Sequence, residues 1–287
     1  MEPEHSPGVT TWLNDLALKH KLTKKSFAVV HALTVHPRLA SYGSIRTVAE
    51  KASVSIGTVT RAAQKLGFSG WPALQKELRA IYIASLSATE ISEQRRHANG
   101  RVSLGYLGRD LENLSSFIKS VDLEQLARVA KAIAQQRRTF IVAVGSYNGV
   151  GHILAHSASL HGYDVRLLTE EAQIINWISQ LEPTDLVITI SFWRLYKTSY
   201  EVIQTCAQNN VPVILITENV TKAIEDQCLE TVYVPSEAIG FSPSMTTVTS
   251  TVHAIVAELI ALDPDRAQRA LEKSESNWKR FGLMHLY

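Results

Sequence analysis

Short, wholly apolar runs alternate with longer amphipathic segments between residues 139 and 261, and this alternation restricts the possible fold more than any other feature. Runs that are apolar on both faces are typical of parallel strands covered by helices on both sides. The pattern therefore predicts an α/β domain with a doubly wound, five-stranded parallel sheet and a last helix at Thr247–Ala261. The predicted strands are Thr139–Val144, Asp164–Leu168, Asp185–Ile190, Val213–Ile216 and Thr231–Val234.

The N-terminal part of the chain has helical spacing without apolar strand-like runs. The predicted helices there are Leu22–His36, Thr47–Ala52, Ser55–Leu66 and Pro72–Leu86. A polar stretch without a persistent apolar face follows, and two further helices, Leu107–Val121 and Leu123–Gln136, precede the first strand. The sequence thus predicts an all-α domain at 1–86, a partly helical linker at 87–104 and the α/β domain at 105–287.

Charge is distributed unevenly between these two parts. Residues 1–86 contain 11 Lys and Arg against 5 Asp and Glu, whereas the remaining residues contain 18 against 22. A basic small domain joined to a mildly acidic one is the asymmetry expected of a nucleic-acid-binding module. Two cysteines cannot form a disulfide framework. With no signal peptide and no apolar run near ~18 residues, we expect a cytoplasmic protein without a membrane partner.

The stretch from Thr47 to Gly67 has the pattern of a DNA-reading helix pair. Val48 and Ala49 give the first helix a small apolar surface, and Ser55 is placed to cap the second helix. Val59, Ala62 and Leu66 would face inward, which leaves small and hydrogen-bonding side chains outward near the helix start. The alternative is an ordinary helical hairpin with a solvated basic face. The candidate DNA-binding residues are Arg46, Lys51, Ser55, Ile56, Gly57, Thr58, Thr60, Arg61, Gln64 and Lys65.

Two loops that follow predicted strands have the chemistry of an anion site. In an open parallel sheet, ligands bind at the carboxyl ends of the strands near the switch point, and helix N-termini there attract anions. Plain turn chemistry is the alternative for the first loop, and helix capping is the alternative for Ser199 and Ser244. The candidate ligand-binding residues are Gly145, Ser146, Tyr147, Asn148, Ser191, Arg194, Tyr196, Lys197, Ser199 and Ser244.

Other residues are weaker candidates. Glu237 precedes the last helix, but a lone carboxylate without a positioned partner is a poor general base, so we interpret it as a surface residue. His152 and His156 are four residues apart on one predicted helix, but no third ligand has the spacing of a metal site. The sequence therefore predicts neither a metal nor a cofactor.

The helix pair and its extension resemble the helix-turn-helix of RpiR-type bacterial transcription regulators. The resemblance lies in Ala49, Val54-Ser55, Thr58-Val59, Arg61 and the run Lys65-Leu66-Gly67-Phe68-Ser69-Gly70-Trp71-Pro72. That family joins the module to a sugar isomerase (SIS) domain, whose Ser/Thr-rich loops hold a phosphorylated sugar. Here Tyr147 stands where the family usually has a serine, and Trp193-Arg194-Leu195-Tyr196 replaces a small Ser-Gly-x-Thr run.

The resemblance implies a transcription regulator without enzymatic activity. Its expected partners are double-stranded DNA with a pseudo-palindromic operator, a small anionic metabolite such as a phosphorylated sugar, and further copies of the chain in a homodimer or homotetramer. Because the loops depart from the family pattern, the effector is expected to differ from an ordinary sugar phosphate. The alternatives are a sugar-phosphate isomerase-like enzyme and an SIS interaction module that binds no small molecule.

Overall fold

A computed structural model describes residues 7–94 and 101–285 of the chain. The chain divides into two compact units, one of Met1–Gln94 and Asn219–Lys222 and the other of Arg95–Glu218 and Ala223–Tyr287. The division lies within the predicted linker at 87–104. The exact domain boundaries at residues 86 and 105 stay a prediction.

Every element of regular secondary structure in residues 7–94 is a helix. These helices are α1 (Pro7–Lys19), α2 (Lys24–Val35), α3 (Pro37–Tyr42), α4 (Ile45–Lys51), α5 (Ile56–Lys65), α6 (Trp71–Ser85) and α7 (Ala88–Gln94). The core includes Val29, Leu33, Val59, Leu74 and Leu78, all fully buried. Hydroxyls of Thr23, Ser44 and Ser55 accept backbone N–H groups at the starts of α2, α4 and α5. Local capping and a shared apolar core therefore fix these helices together.

The predicted helices of this unit did not include α1 and α3. Pro37, which follows the predicted helix Leu22–His36, begins α3 as its first residue. Proline suits that position because its fixed φ is already helical and the missing N–H has no partner within the helix. Helix α7 lies in the predicted linker, in agreement with the expectation of partial helix there, while residues 95–100 lie outside the described residues.

The second part of the chain contains all five described strands and eight helices. The strands are β1 (Arg138–Ala143), β2 (Val165–Leu168), β3 (Asp185–Ile190), β4 (Val213–Thr217) and β5 (Glu230–Tyr233). The helices are α8 (Val102–Ser120), α9 (Leu123–Gln135), α10 (Asn148–Leu160), α11 (Glu171–Ile178), α12 (Lys197–Gln208), α13 (Lys222–Glu225), α14 (Thr246–Leu262) and α15 (Pro264–Phe281).

The five strands form one parallel sheet in the order β2-β1-β3-β4-β5. This confirms the predicted five-stranded parallel sheet of an α/β domain. The chain order reverses between β1 and β3, which is where such sheets bind ligands. Apolar side chains of the strands, α9, α10 and α14 form a single buried cluster beneath that edge.

A buried carboxylate lies at the opposite end of β3. Asp185 is fully buried, and its carboxylate accepts paired hydrogen bonds of 2.9–3.1 Å from Arg137 and Arg138. Burial raises the pKa of Asp185, but the hydrogen bonds from Arg138, Arg137 and the backbone N–H of Glu182 outweigh it and lower the pKa to about 2. The carboxylate thus stays charged and anchors the start of β1 to the start of β3.

Helix α15 was not predicted, because apolar periodicity weakens after Ala261. The Asp263 carboxylate accepts the N–H of Arg266, Pro264 is the first helical residue, and Gly282 ends the helix in the left-handed conformation. Capping residues therefore define a mostly polar helix that hydrophobic spacing alone does not reveal.

Candidate functional site

Helices α4 and α5 form a tight helix-turn-helix. The turn between them bends at Ser53, whose φ is 53°, and the Val54 N–H donates to the Ala49 carbonyl at 2.9 Å. Ser55 caps α5, since its hydroxyl accepts the Thr58 N–H at 3.3 Å. Small residues on the inner faces, Val48 and Ala49 on α4, are buried as the sequence predicts. The local sequence therefore fixes both the turn and the start of α5.

The inward and outward faces of α5 follow the predicted periodicity. Val59, Ala62 and Ala63 are buried in the core. The predicted DNA-contacting residues Ile56, Gly57, Arg61, Gln64 and Lys65 are exposed, and Thr60 is half-buried. None of the ten residues of α5 is acidic. Its outer face therefore combines small residues near the helix start with cations and an amide further along, a composition that suits a negatively charged major groove.

The remaining candidates on these helices differ in accessibility. Arg46 and Lys51 are exposed on α4, whereas Thr58 is only 8% exposed. The Thr58 hydroxyl lies 3.0 Å from the Ser55 hydroxyl and 3.5 Å from an Arg61 nitrogen. Thr58 therefore positions the cap and the arginine, and it presents little surface of its own.

At the carboxyl edge of the sheet, the turn after β1 is crowded by an aromatic side chain. Gly145 has φ 65°, a conformation that favours glycine. A Cβ placed there would lie 3.1 Å from the Tyr196 hydroxyl. Ser146 is exposed and Asn148 half-buried beside it. The structure therefore brings Gly145 and Tyr196, which are 51 positions apart in the sequence, to one place.

Three aromatic rings pack together between the loops after β1 and β3. Tyr147 is buried, and its hydroxyl donates to the Phe192 carbonyl at 2.6 Å. Its ring lies 5.8 Å from that of Phe192 and 6.1 Å from that of Tyr196. Tyr147 therefore joins the two loops, and the aromatic cluster occupies space between them.

The loop after β3 carries one exposed cation on an aromatic ring. Ser191 is buried, and its hydroxyl lies 3.4 Å from the Arg194 carbonyl. Trp193 has φ 62°, a strained conformation for a bulky residue. The Arg194 guanidinium carbon lies 4.2 Å above the Trp193 ring, and the Phe241 ring lies 4.8 Å from that ring. The exposed Arg194 is thus held over an aromatic platform.

Glu218 is a site residue that the sequence reasoning missed. Its carboxylate accepts the Trp193 N–H at 3.0 Å and the Ser236 hydroxyl at 2.5 Å. It therefore ties together the loops after β3, β4 and β5, and it stabilises the unusual backbone of Trp193. Its position directly after β4 was a signal, because the carboxyl ends of parallel strands meet at one edge.

The start of α12 offers donors for an anion. The helix begins at Lys197 with Tyr196 as its N-cap, and no side chain caps it. The capping alternative for Ser199 is therefore wrong, because the helix already begins at Lys197 with Tyr196 as its N-cap. The Ser199 hydroxyl is fully buried and has no hydrogen-bond partner among the described residues. Free backbone N–H groups and the exposed Lys197 therefore lie together at this helix end, where the helix dipole favours negative charge.

The segment after β5 is held against α8. Ser244 donates to one oxygen of Asp110 at 2.5 Å, and Thr246 donates to the other at 2.7 Å. Asn113 donates to the Glu237 carbonyl at 2.8 Å, and the exposed Glu237 side chain lies 3.5 Å from Arg109. Ser244 accepts the Thr246 N–H, but the N-cap of α14 is Met245. The predicted ligand residue Ser244 thus already engages Asp110.

Metal and thiol chemistry have little support at the described positions. His152 and His156 are exposed with rings 6.2 Å apart, and the described residues contain no group of three ligating side chains. Burial raises the pKa of Cys206 to about 12 and that of Cys228 to about 11, so both thiols stay protonated. Within the described ranges, no helix combines the length and apolar character that crossing a membrane requires.

Comparison with known protein families finds two matches along the chain. Residues 14–85 match a helix-turn-helix domain of the rpiR family. Residues 132–261 match an SIS domain. The first match contains the whole α4–α5 pair, and the second contains all five strands with the loops at their carboxyl ends.

Curated relatives are similar at low identity. An uncharacterized HTH-type transcriptional regulator of Clostridium perfringens is 22% identical over 70% of this chain and 73% of its own length. The uncharacterized HTH-type transcriptional regulator YfhH of Escherichia coli is 24% identical over 56% of this chain and 58% of its own length.

Solved structures share the fold. The sugar isomerase domain of an RpiR transcription factor from Sphaerobacter thermophilus is 22% identical, covers 62% of this chain and 99% of that chain, and gives a TM-score of 0.59. The NanR protein of Vibrio vulnificus, complexed with ManNAc-6P, is 16% identical, covers 97% of this chain and 100% of that chain, and gives a TM-score of 0.60.

Proposed function

Because the chain belongs to the RpiR-type transcription regulators that join a helix-turn-helix domain to an SIS domain, we propose that α5 reads operator DNA and that an anionic metabolite in the SIS domain controls this binding. The regulator acts in the cytoplasm, where bacterial chromosomal DNA lies. Two copies present two recognition helices to a pseudo-palindromic operator, in a homodimer or homotetramer.

The outer face of α5 is the observation that carries the DNA-binding part. Arg61 extends beside Gly57, and a Cβ added at Gly57 would lie 3.9 Å from a guanidinium nitrogen of Arg61. The first turn is therefore narrow, and the guanidinium lies next to it. An arginine at that place contacts base edges or phosphates, while Arg46, Lys51 and Lys65 contact phosphates and set the position of the helix. Ser55, Ile56, Gly57, Thr60 and Gln64 complete the contact surface, and the buried Thr58 supports it by positioning the cap and Arg61.

An Arg61→Ala substitution tests this assignment. Loss of one base or phosphate contact should weaken binding to the DNA upstream of the protein's own gene about 5- to 150-fold. Fluorescence anisotropy of labelled DNA gives the dissociation constants. Lys131→Ala is the matched control, because it removes one exposed charge from α9 in the SIS domain. Equal affinities of the two variants would remove Arg61 from the recognition surface.

The ligand part of the proposal rests on the start of α12. Its uncapped backbone N–H groups, the unpartnered Ser199 hydroxyl, Lys197 and Arg194 offer hydrogen bonds and charge to one anionic group. Gly145, Ser146, Asn148 and Ser191 line the neighbouring turns. Tyr147 and Tyr196 narrow the space, so the bound molecule is smaller or shaped differently from one that fits serine-lined loops. The ManNAc-6P complex of the similar NanR protein supports a phosphorylated sugar as the class to test.

Calorimetric titration with ManNAc-6P, and separately with inorganic phosphate, tests the ligand site. We expect saturable binding of at least one of them, weakened about 10-fold or more in Arg194→Ala because a charged hydrogen-bond donor is lost. Arg269→Ala, an exposed arginine on α15, is the control and should bind as the wild type does. Equal affinities of Arg194→Ala and the wild type would contradict the assignment of Arg194.

Binding rather than catalysis is proposed for the SIS domain. Glu218, a carboxylate at its carboxyl edge, accepts a backbone N–H and a hydroxyl, and the exposed Glu237 lies 3.5 Å from Arg109. A carboxylate engaged in this way positions loops and is poorly placed to move a substrate proton. The curated relatives are named as transcriptional regulators. Turnover of a sugar phosphate in a coupled isomerase assay would overturn this part of the proposal.

A further inference from the structure

A second basic surface lies outside α4 and α5, in residues 19–25 at the junction of α1 and α2. This lysine segment contains four lysines and no acidic residue. The wider sequence is similarly one-sided, since residues 16–76 contain ten Lys and Arg and a single acidic residue, Glu50. All four lysines of the segment are exposed. They are Lys19, Lys21, Lys24 and Lys25.

The charges of the lysine segment are not balanced within the chain. Among the described residues, no carboxylate forms an ion pair with any of its four lysines. In the SIS domain, by contrast, Arg128, Arg138 and Arg166 each pair with a carboxylate. Unpaired like charges repel one another and oppose compact folding. Binding to an anionic surface relieves this repulsion.

Two of the lysines lie where a helix disfavours positive charge. Thr23 is the N-cap of α2, so Lys24 and Lys25 are the first two helical residues. The N-terminal end of a helix carries partial positive charge, and acidic residues are the favourable choice there. The first turn of α2 contains none. The two lysines therefore weaken this helix end while they increase its attraction for an anion.

Packing places the lysine segment beside the C-terminal end of the recognition helix α5. Gly67 directly follows the C-cap of α5, and a Cβ added there would lie 3.8 Å from the His20 ring. The rings of Trp12 on α1 and of Phe68 lie 6.1 Å apart. Helix α2 also packs against α5. The lysine segment and the exposed Lys65 in the last turn of α5 therefore lie at the same end of the domain.

The length of α5 brings this end of the domain to the DNA backbone. From Ile56 to Lys65 the helix is about 15 Å long, whereas the major groove is about 12 Å wide. When the start of α5 lies at the base edges, its last turn therefore lies at the edge of the groove, where phosphates are the nearest groups. We propose that the lysine segment binds DNA phosphates beside the groove that α5 reads. This inference rests on the proposed function and extends its DNA contact to the junction of α1 and α2.

The lysine segment and α5 have different roles in this arrangement. Phosphate contacts position a protein on the duplex and carry no sequence information. The lysine segment therefore adds affinity for any duplex, while selectivity stays with α5. Each phosphate contact also releases counterions, so it makes the affinity fall more steeply as salt rises.

Fluorescence anisotropy of the full chain over a salt series tests the contact. Lys24→Gln/Lys25→Gln removes two charges and keeps two polar side chains. Loss of two phosphate contacts should reduce the slope of log affinity against log salt by about 1.8 per bound copy. The same loss weakens binding about 30-fold per copy at about 0.15 M salt, equally on upstream and scrambled DNA.

The matched control removes two exposed charges from the SIS domain. Lys131→Gln/Lys273→Gln changes α9 and α15 and should bind DNA as the wild type does. An unchanged slope in Lys24→Gln/Lys25→Gln would overturn the proposal. An equal change of slope in the control would also overturn it, because net charge alone would then explain the effect.

Thermal unfolding separates a lost contact from a damaged domain. Because Lys24 and Lys25 oppose the dipole of α2, their replacement by glutamine should leave the melting temperature of the helix-turn-helix domain unchanged or raise it. A lower melting temperature together with weaker binding would show that the lysines act on the fold, and it would contradict a direct contact with DNA.

This proposal and the proposed function fail in different ways. If α5 does not read sequence but the lysine segment binds phosphates, upstream and scrambled DNA bind equally, and the slope still falls in Lys24→Gln/Lys25→Gln. If α5 reads sequence but the lysine segment does not contact DNA, the upstream DNA is preferred and the slope of this variant equals that of the wild type.

Discussion

The DNA-binding face of α5 and the loops at the carboxyl edge of the sheet are built in different ways. On α5, the side chains of Arg61, Gln64 and Lys65 all project from the side of the helix opposite its buried residues. At the sheet edge, Tyr147, Trp193 and Glu218 engage groups on other loops. The first surface follows from the spacing within one helix, whereas the second depends on contacts between segments distant in sequence. Substitutions should therefore act locally on α5 and cooperatively at the sheet edge.

Removing the buried carboxylate of Asp185 at the start of β3 should lower the stability of the SIS domain more than the other substitutions do. Asp185→Ala leaves Arg137 and Arg138 without their shared partner, and because the two arginine side chains are 45% and 19% exposed and can turn to water, the loss should be about 2 kcal/mol. Urea unfolding measures the loss in the SIS domain. Asp164→Ala is the control, because its pair with Arg166 is exposed and contributes at most about 1 kcal/mol. Equal losses of unfolding free energy in the two variants would show that the hydrogen bonds of Asp185 to Arg137 and Arg138 do not hold β1 and β3 together.

The same carboxylate should make the SIS domain sensitive to acid. The folded-state pKa of Asp185, about 2, lies below its ordinary value of 3.8. Its contribution to stability is therefore fully present above about pH 4 and is lost as the pH falls toward 2. The loss amounts to about 2 kcal/mol. Unfolding free energies measured from pH 5 to 2 should fall less steeply in Asp185→Asn than in the wild type, and parallel curves would contradict the assigned role.

Glu218→Gln separates the loop-positioning role of this residue from its charge. Glutamine keeps one acceptor oxygen but weakens the bonds from Trp193 and Ser236, with an expected loss of about 1–2 kcal/mol. Removing the negative charge near the start of α12 should also raise the affinity for inorganic phosphate. Glu201→Gln, an exposed residue of α12, is the control. Stability unchanged from the wild type would mean that Glu218 does not tie the loops together.

Gly57→Ala should raise the stability of the helix-turn-helix domain and lower its affinity for operator DNA. The new methyl group would lie 3.9 Å from the Arg61 guanidinium, an ordinary contact, and alanine raises helix stability by up to about 1 kcal/mol. The same methyl group narrows the gap between the first turn and DNA, so operator affinity should fall. Thermal unfolding and anisotropy on the same variant test both parts. A gain in stability with unchanged affinity would place the first turn of α5 away from the DNA.

The sequence predicted the sheet and the recognition helix because both depend on local patterns. Five apolar runs gave the strands within two residues at each end, and Ser55 with Val59 and Ala62 indicated the cap and inner face of α5. The place of Glu218 directly after β4 was a usable signal for the sheet edge, but its partners and those of Asp110 were not predictable, because each joins segments separated by many residues. Helix α15 was missed since its signals are caps rather than apolar spacing. The sequence showed that Tyr147 and Trp193 depart from the serine-rich loops of the family. Only the structure shows how their rings pack at the loops after β1 and β3.

The selectivity of the wild-type chain for DNA is the most direct measure of whether α5 recognises a sequence. Fluorescence anisotropy compares DNA from upstream of the protein's own gene with a scrambled fragment of the same composition, over a series of salt concentrations. If α5 reads a specific operator, the upstream DNA should be bound at least about 10³-fold more tightly near physiological salt. Equal binding to both fragments that disappears as salt rises would mean that α5 is a basic surface without sequence recognition, and it would contradict the assignment of the chain as an operator-binding regulator.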